Sequence, residues 1–357
     1  MLLTSRLRSK SIVGLDIGAS SVKAVELGIH PKGLDLAHVG VAPLPRESIV
    51  QGAFLNSAAI MDAIKAALSN GKIRTKDVAV AVAGSSVIVK KVALPAMSFE
   101  ELEESIRWEA EQYIPFDVNE VNLDFQILSK GESDGQMDVL LVAAKKELID
   151  DYVQVISEAG LRPRIIDVEG FAVQNAYAAN CESGAEDSIA LVNIGSQTIN
   201  VSIAVGDVPA FTRDLAGGGD RYTEELQKVL SVDAAEAEQI KLKLHDKNAG
   251  AEVFSDEVQE ALQSVSETMI GEIVRTLDFF TATAANSKPT RIVLAGGASR
   301  LEGLEKLLHE KSGLPVSMLN PLKNVSLSKR FDSAQLAELA PALAVGVGLA
   351  LRRIEES

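Results

Sequence analysis

The sequence predicts an α/β fold of two related units, and three observations predict it. An apolar strand, a glycine turn and a second apolar strand occur twice, around Asp16-Ile17-Gly18-Ala19 and around Asn193-Ile194-Gly195-Ser196. Strand-like runs alternate with segments whose apolar residues recur every three to four positions, the pattern of helices packed on a sheet. A third apolar run, residues 291–295, enters Gly296-Gly297-Ala298-Ser299 and then a helical pattern. The 357 residues allow two to three domains at roughly 150 residues each.

Taken in order, residues 12–17 and 22–27 are the strands of a first hairpin, with Gly18-Ala19-Ser20-Ser21 as its turn. A third strand is expected at 34–44, closed by Pro43 and Pro45. Residues 56–68 place Ala59, Ile60, Ala63, Ile64, Ala67 and Leu68 at helical spacing. Strands follow at 77–82 and 87–94. Ser98 and Glu101 form the S-x-x-E pattern that caps a helix start, Leu102, Ile106, Ala110 and Tyr113 mark its inner face, and Pro115 stops it. Trp108 is expected in the core with Tyr113. Strands at 121–128 and 137–144 flank the polar turn 130–136, and a helix over 145–160 ends on Gly160. A short strand at 164–168 and a helix at 170–180 lead to the linker-like stretch 182–187.

The opening pattern then returns. Strands at 188–193 and 199–205 enclose Gly195-Ser196-Gln197-Thr198, which makes the chain an internal repeat. A strand at 209–212 precedes Gly217-Gly218-Gly219 and a helix at 220–230. Helices are expected at 234–244 and 255–283, the second with Val258, Leu262, Val265, Met269, Ile273, Leu277 and Phe280 on one face. A strand at 291–295, a helix at 301–308 and a small-residue helix at 340–351 close the fold.

Composition narrows the function. Apolar residues make up 46% of the chain and aromatics 4%, so the cores are aliphatic and the chain is not disordered. The formal net charge of -15 is opposite to what a phosphate-coating surface needs, so no nucleic-acid partner is expected. One cysteine, Cys181, excludes a disulfide framework or a CxxC zinc site, and the four histidines show no ligand spacing. The most apolar stretch, residues 339–351, is short of the about 20 residues a bilayer crossing needs, so no transmembrane segment is expected. The basic start MLLTSRLRSK reads as a frayed end, with Arg6, Arg8 and Lys10 the residues a membrane surface would attract.

The glycine turns carry the chemistry. A hairpin turn of Asp16-Ile17-Gly18-Ala19-Ser20-Ser21 presents several backbone N–H groups together, and Gly18 lets an anion come close. Ser20, Ser21 and Lys23 add hydroxyl and ammonium donors. Asp16 would repel a phosphate unless Mg²⁺ lies between them, so it reads as a metal anchor acting through water. Two such hairpins would clamp phosphates from opposite sides, and the turn at Gly296 offers a flat approach for an adenine or ribose.

These motifs, in the order D-I-G, N-I-G, G-G-G, A-E-x-I-K and G-G-A-S, resemble the actin-like ATPase fold shared by actin, sugar kinases, DnaK-type chaperones, MreB and FtsA. Within that superfamily the chain resembles the PilM family of type IV pilus assembly. The segment WEAEQYIPFDVNEV (residues 108–121), the following LDFQIL, and LIDDYVQVISEAGLRPRIIDVEGFAVQNA carry this resemblance. It implies an actin-like two-domain fold with an inserted FtsA/PilM-type subdomain. The expected division is 11–85 with 167–184 for the first domain, 86–166 for the insert, and 185–357 for the second domain with the nucleotide cleft.

The resemblance also implies ATP or ADP with Mg²⁺ as cofactors. Asp16, Gly18, Ser20, Ser21 and Lys23 match the first phosphate loop, with Asp16 near the metal. Asn193, Gly195, Ser196 and Thr198 match the second loop, and Gly217, Gly218 and Gly219 the glycine turn on the nucleotide. Glu238 and Lys241 match the pair that holds the ribose and base edge, and Gly296, Gly297, Ala298 and Ser299 the adenosine loop. Asn193 stands where the superfamily usually has aspartate, which implies ATP binding with weak or absent hydrolysis. The implied partners are the cytoplasmic N-terminal tail of a PilN-like membrane protein, other inner-membrane and motor components of the pilus machine, and further copies of the chain. The implied place is the cytoplasmic face of the inner membrane, in a machine that drives twitching motility. The alternatives are an FtsA-like division protein, against which the ending directly after a packed helix counts, and a small-molecule kinase of the same fold.

Overall fold

The computed structural model describes residues 11–353 apart from 32, 131–134, 183, 185, 244–254 and 284–287. The basic start with Arg6, Arg8 and Lys10, the centre of the 130–136 turn, parts of the 182–187 stretch and the end of the 234–244 helix therefore lie outside the described residues.

The first hairpin is β1 (Val13–Ile17) with β2 (Ser21–His30), and β3 (Gly33–Pro43) pairs antiparallel with β2. A small hairpin of β4 (Ile49–Val50) and β5 (Ala53–Phe54) leads to α1 (Ser57–Gly71), whose N-cap Asn56 accepts a bond from Ala59 N. Next, β6 (Asp77–Val82) pairs parallel with β1.

The inserted unit begins with β7 (Val87–Pro95) and α2 (Phe99–Ala110), the helix opened by the expected capping box. Ser98 N donates to Glu101 Oε2 (2.8 Å) and Glu101 N to Ser98 Oγ (3.2 Å). Then β8 (Val121–Lys130) and β9 (Gln136–Lys145) complete an antiparallel sheet ordered β7-β9-β8, over a core with Leu102, Ile106 and Ala110 of the helix. Tyr113 packs against this core, but Trp108 is 73% exposed. The reason is angular. Ile106 and Ala110 set the inward direction, and a residue two positions from each lies about 200° away on the helix.

The chain then returns to the first unit. Both α3 (Lys146–Glu158) and β10 (Arg162–Val168) differ from the expected boundary at 166: β10 pairs parallel with β6, and Tyr152, Val155 and Ile156 of α3 join the core of the first sheet. Following this, α4 (Glu169–Asn180) packs through Ala172 and Val173 on the layer between the two large sheets.

The second unit holds β11 (Ser188–Ile194), β12 (Thr198–Val205), β13 (Val208–Ala216), α5 (Gly219–Leu230), α6 (Ala234–Lys243) and α7 (Asp256–Thr283). It continues with β14 (Arg291–Ala295), α8 (Leu304–Ser312) and β15 (Val316–Met318). Its sheet runs β13-β12-β11-β14-β15, and the first runs β3-β2-β1-β6-β10 with an added edge strand. In both, the first two pairings are antiparallel and the last two parallel. The repeat read from two glycine turns is thus a repeat of whole sheets.

The added edge strand is β16 (Val325–Ser326), which pairs with β3, followed by α9 (Ser333–Leu339) and α10 (Ala344–Ala350). These last elements, expected in the second unit, pack on the first: Leu343 and Val347 share a core with Val25 and Leu27. A Cβ at Gly14 would lie 1.9 Å from Gly346 O, so helix and strand touch backbone to backbone. Residues 333–350 are long and apolar enough, by length and composition, to cross a membrane, yet they are three helical pieces that are mostly buried.

Candidate functional site

In each large sheet the glycine turn joins the central strand, β1 or β11, to its antiparallel partner at the corresponding end. In the first, Gly18 N donates to Ser21 O (3.1 Å), and the register sets Asp16 opposite Lys23. Lys23 Nζ donates to Asp16 Oδ2 at 3.1 Å, with both side chains 14% exposed. In the second, Gly195 N donates to Thr198 O (2.9 Å). Three more backbone bonds lace this turn to the next glycines: Gly217 N to Gln197 O (2.7 Å), Gly219 N to Gly195 O (2.9 Å) and Asp220 N to Ser196 O (2.8 Å). Only glycine fits the middle of the lacing, since a Cβ at Gly218 would lie 2.4 Å from Gly195 O.

The third turn backs onto the second. Gly296 has φ +91°, and its Cβ would fall 2.3 Å from Ile194 O and 2.7 Å from Asn193 Oδ1. Ala298 and Ser299 are buried, and the Ser299 hydroxyl closes its own turn on Gly296 O (2.7 Å), while Gly297 stays exposed. From α6, the buried Lys241 ammonium donates to Gly219 O (3.2 Å) and Thr223 Oγ1 (2.9 Å) and pairs with Glu238 Oε2 (2.7 Å). Burial works to raise the Glu238 carboxyl, but the Lys241 charge and bond, the Thr223 bond and Arg46 of the first unit outweigh it, so it stays below its ordinary value. Burial instead wins at Asp220, whose carboxyl is raised.

The structure adds two acids that the sequence reading passed over. Glu169, the first residue of α4, accepts a 2.6 Å bond from Asn193 Nδ2 and so joins the two units across the cleft. Burial, then the charges of Asp214 and Asp16, push its carboxyl up to about 8, against the Asn193 bond and Lys23. An aspartate at 193 would set a further carboxylate here, whereas the asparagine amide donates to one. The signal in the sequence is a carboxylate at the join of a strand and an apolar helix, D-V-E-G.

Asp214 is the second. Its Oδ2 accepts from Gly84 N (2.5 Å), in the link to the inserted unit, and its Oδ1 from Asn200 Nδ2 (2.7 Å). Asn200 continues to Ser202 (2.7 Å) and Thr212 (3.1 Å). This polar cluster supports α4 directly, since a Cβ at Gly170 would meet Ser202 Oγ at 2.3 Å. Beside Asp214 lies a cavity of about 240 Å³ lined by Gly84, Ser85, Val87, Val89, Thr212 and Asp214, where the inserted sheet faces β13. None of the residues lining this cavity belongs to the glycine turns.

Comparison with known proteins places this architecture. The family described as "Type IV pilus assembly protein PilM" matches residues 14–354. The chain belongs to the PilM family. Its fold superposes on a "PilM-PilN type IV pilus biogenesis complex" with a TM-score of 0.86 and 31% identity, over 96% of this chain and 98% of that one. FtsA, the cell division protein, of Pseudomonas aeruginosa is 23% identical over 389 residues, covering 97% of this chain and 90% of the relative. FtsA of Helicobacter pylori strain J99 is 23% identical over 232 residues, and the match spans only 46% of that protein's length. MreB5 of Spiroplasma citri bound to ADP has a TM-score of 0.52 at 13% identity over 95% of this chain and 94% of that one, a likeness of fold alone. The PilM-family chain thus has the actin-like fold expected of it.

Proposed function

We propose that this chain is an ATP-binding scaffold of the type IV pilus inner-membrane platform. It holds the nucleotide in the cleft and docks the cytoplasmic N-terminal tail of a PilN-like protein, which keeps it at the inner face of the membrane. The observation that carries the nucleotide reading is that the second and third glycine turns pack on each other beside Asn193 and Lys241, while Asp16 and Lys23 of the first hairpin act on Glu169, the acid bonded to Asn193. The backbone N–H groups of Ser196 and Gly218, which take no part in the bonds that lace the turns, suit phosphates, and Glu238 suits a ribose hydroxyl.

Asp16 fits the role of a metal anchor acting through water. It is a single carboxylate already paired with Lys23, and among the described residues no group of three or more His, Cys, Asp or Glu could hold a metal ion. Phosphate oxygens and water would supply the rest of a Mg²⁺ shell, and the ion would neutralise phosphate charge there. Glu169 is the acid nearest to an ability to orient water. With its carboxyl raised to about 8 it is mostly protonated at neutral pH, hence a poor base, which supports binding over rapid turnover.

The tail-docking reading rests on the 31% identity to the PilM of a PilM-PilN complex. The cavity between the inserted sheet and β13 is the place in this chain that suits an extended segment, since β7 and β13 both end their sheets there. The test is the ATP content and turnover of the purified protein with and without a PilN-type N-terminal peptide. Tight Mg-ATP with negligible hydrolysis is expected, together with saturable peptide binding. Absence of nucleotide binding refutes the first half, absence of peptide binding the second, and transfer of phosphate to a small acceptor would make the chain a kinase.

A further inference from the structure

The outward face of α2 is a surface with a distinct chemistry. Trp108, the sole tryptophan, is 73% exposed on it. Glu104 and Glu111 stand four residues before and three residues after Trp108, and Glu101 one further turn away, so all four share one stripe of the helix. All three glutamates are exposed, and Glu101 also closes the capping box with Ser98. Arg107 is the one cation on the helix.

The rest of the inserted unit shows what its aromatic rings pair with. Lys90 lies over the Tyr113 ring at 5.2 Å, Lys145 over Phe116 at 4.7 Å, and Phe99 packs on Phe125 at 5.3 Å. Among the described residues no cation or ring is placed on Trp108. The indole has the most negative π face of the aromatic side chains, and carboxylates beside it deepen that potential. Anionic lipid headgroups and nucleic acids are repelled by the same carboxylates.

We propose that Glu101, Glu104, Trp108 and Glu111 form a docking surface for an arginine-bearing basic segment of another protein. One guanidinium stacks on the indole while the glutamates hold it and its basic neighbours. Arginine fits better than lysine, because its flat, weakly hydrated cation stacks on the ring and offers N–H donors at its edge to the carboxylates. This surface is separate from the cleft and from the cavity beside Asp214, so it stands whether or not the nucleotide and tail readings hold.

The test uses the full chain and a synthetic peptide of alternating arginine and alanine, with lysine and citrulline versions as controls. Calorimetry reads affinity, and the emission of the single tryptophan reads the site. The arginine peptide is expected to change Trp108 emission saturably and to bind more tightly than the lysine peptide, with the neutral citrulline peptide not binding. Trp108→Ala should weaken arginine-peptide binding by about 3- to 30-fold, and Trp108→Phe by less. Glu104→Gln with Glu111→Gln should weaken it and flatten its salt dependence. The surface lies outside the core, so far-ultraviolet circular dichroism should be unchanged in all variants. Equal binding by Trp108→Ala overturns the proposal, since it leaves only diffuse attraction to an acidic chain. So does a wild-type dimer that Trp108→Ala converts to monomer, which would assign the face to a second copy.

Discussion

The two hairpins share a sheet position and a glycine turn, yet they manage charge in opposite ways. The β1–β2 hairpin neutralises itself, with Lys23 on Asp16 inside the same strand pair. The β11–β12 hairpin carries no charge at the matching place. Asn193 donates out of its own hairpin to Glu169 on α4 and so ties the second unit to the first. One turn is self-contained and the other is a link. The amide at 193 therefore has a structural part to play, since it donates to a carboxyl that an aspartate there could face only by sharing a proton.

The largest effect should come from breaking the three bonds that lace the second turn to Gly217, Gly219 and Asp220. Gly218→Ala drives a Cβ into Gly195 O and is expected to cut Mg-ATP affinity by at least about 100-fold with a lowered Tm. Gly18→Ala in the first turn meets Ser21 O at 3.3 Å and should cost less than about 10-fold. Equal losses would erase the distinction between the turns. Next comes Asn193→Asp, which sets two carboxyls face to face. Thermal unfolding should show a loss of about 2–3 kcal/mol at pH 9 and much less at pH 5.5, where the pair shares a proton.

Glu169→Gln should have a smaller effect, and one that depends on pH. The folded protein holds this proton up to about 8, whereas the unfolded chain releases it near the ordinary 4.5. Wild-type stability is therefore undiminished below about 4.5 and falls as pH rises toward 8. The glutamine variant should not share that decline, so at pH 9 it should gain on the wild type by about 1–2 kcal/mol, allowing for partial exposure of the carboxyl. A parallel pH dependence in both proteins would remove Glu169 from this account. Smallest is Asp16→Asn, which leaves Lys23 without its partner. A loss of about 1 kcal/mol that shrinks in high salt is expected from urea unfolding, together with a weaker Mg²⁺ requirement for nucleotide binding.

Long strands and helices could be read from the sequence because each repeats its own period, and the glycine turns because glycine is the residue that close backbone approach demands. The two-residue β16 and three-residue β15 could not, since strands that short exist only through the neighbour they pair with. Glu169 and Asp214 escaped for a related reason. Asn193 is 24 residues from Glu169, and Gly84 is 130 residues from Asp214, so neither bond leaves a local pattern. Trp108 was misplaced because apolar character was weighed above helix angle. The division at 166 shifts because α3 and β10, which follow the insert, pack on the first sheet.

The backbone contact between Gly14 and Gly346 has a consequence for how the protein is made. The strand that carries Asp16 is made before the segment beyond residue 320 that closes the outer face of its sheet. Val325 completes the edge of its sheet, and α10 covers β1 where Gly14 meets Gly346 and packs on α4 where Gly348 meets Ala172. The nascent first unit must wait, exposed, for about 300 further residues. Its hairpin turn is made before it is supported, so the first sheet reaches its packed form only once α10 has been made.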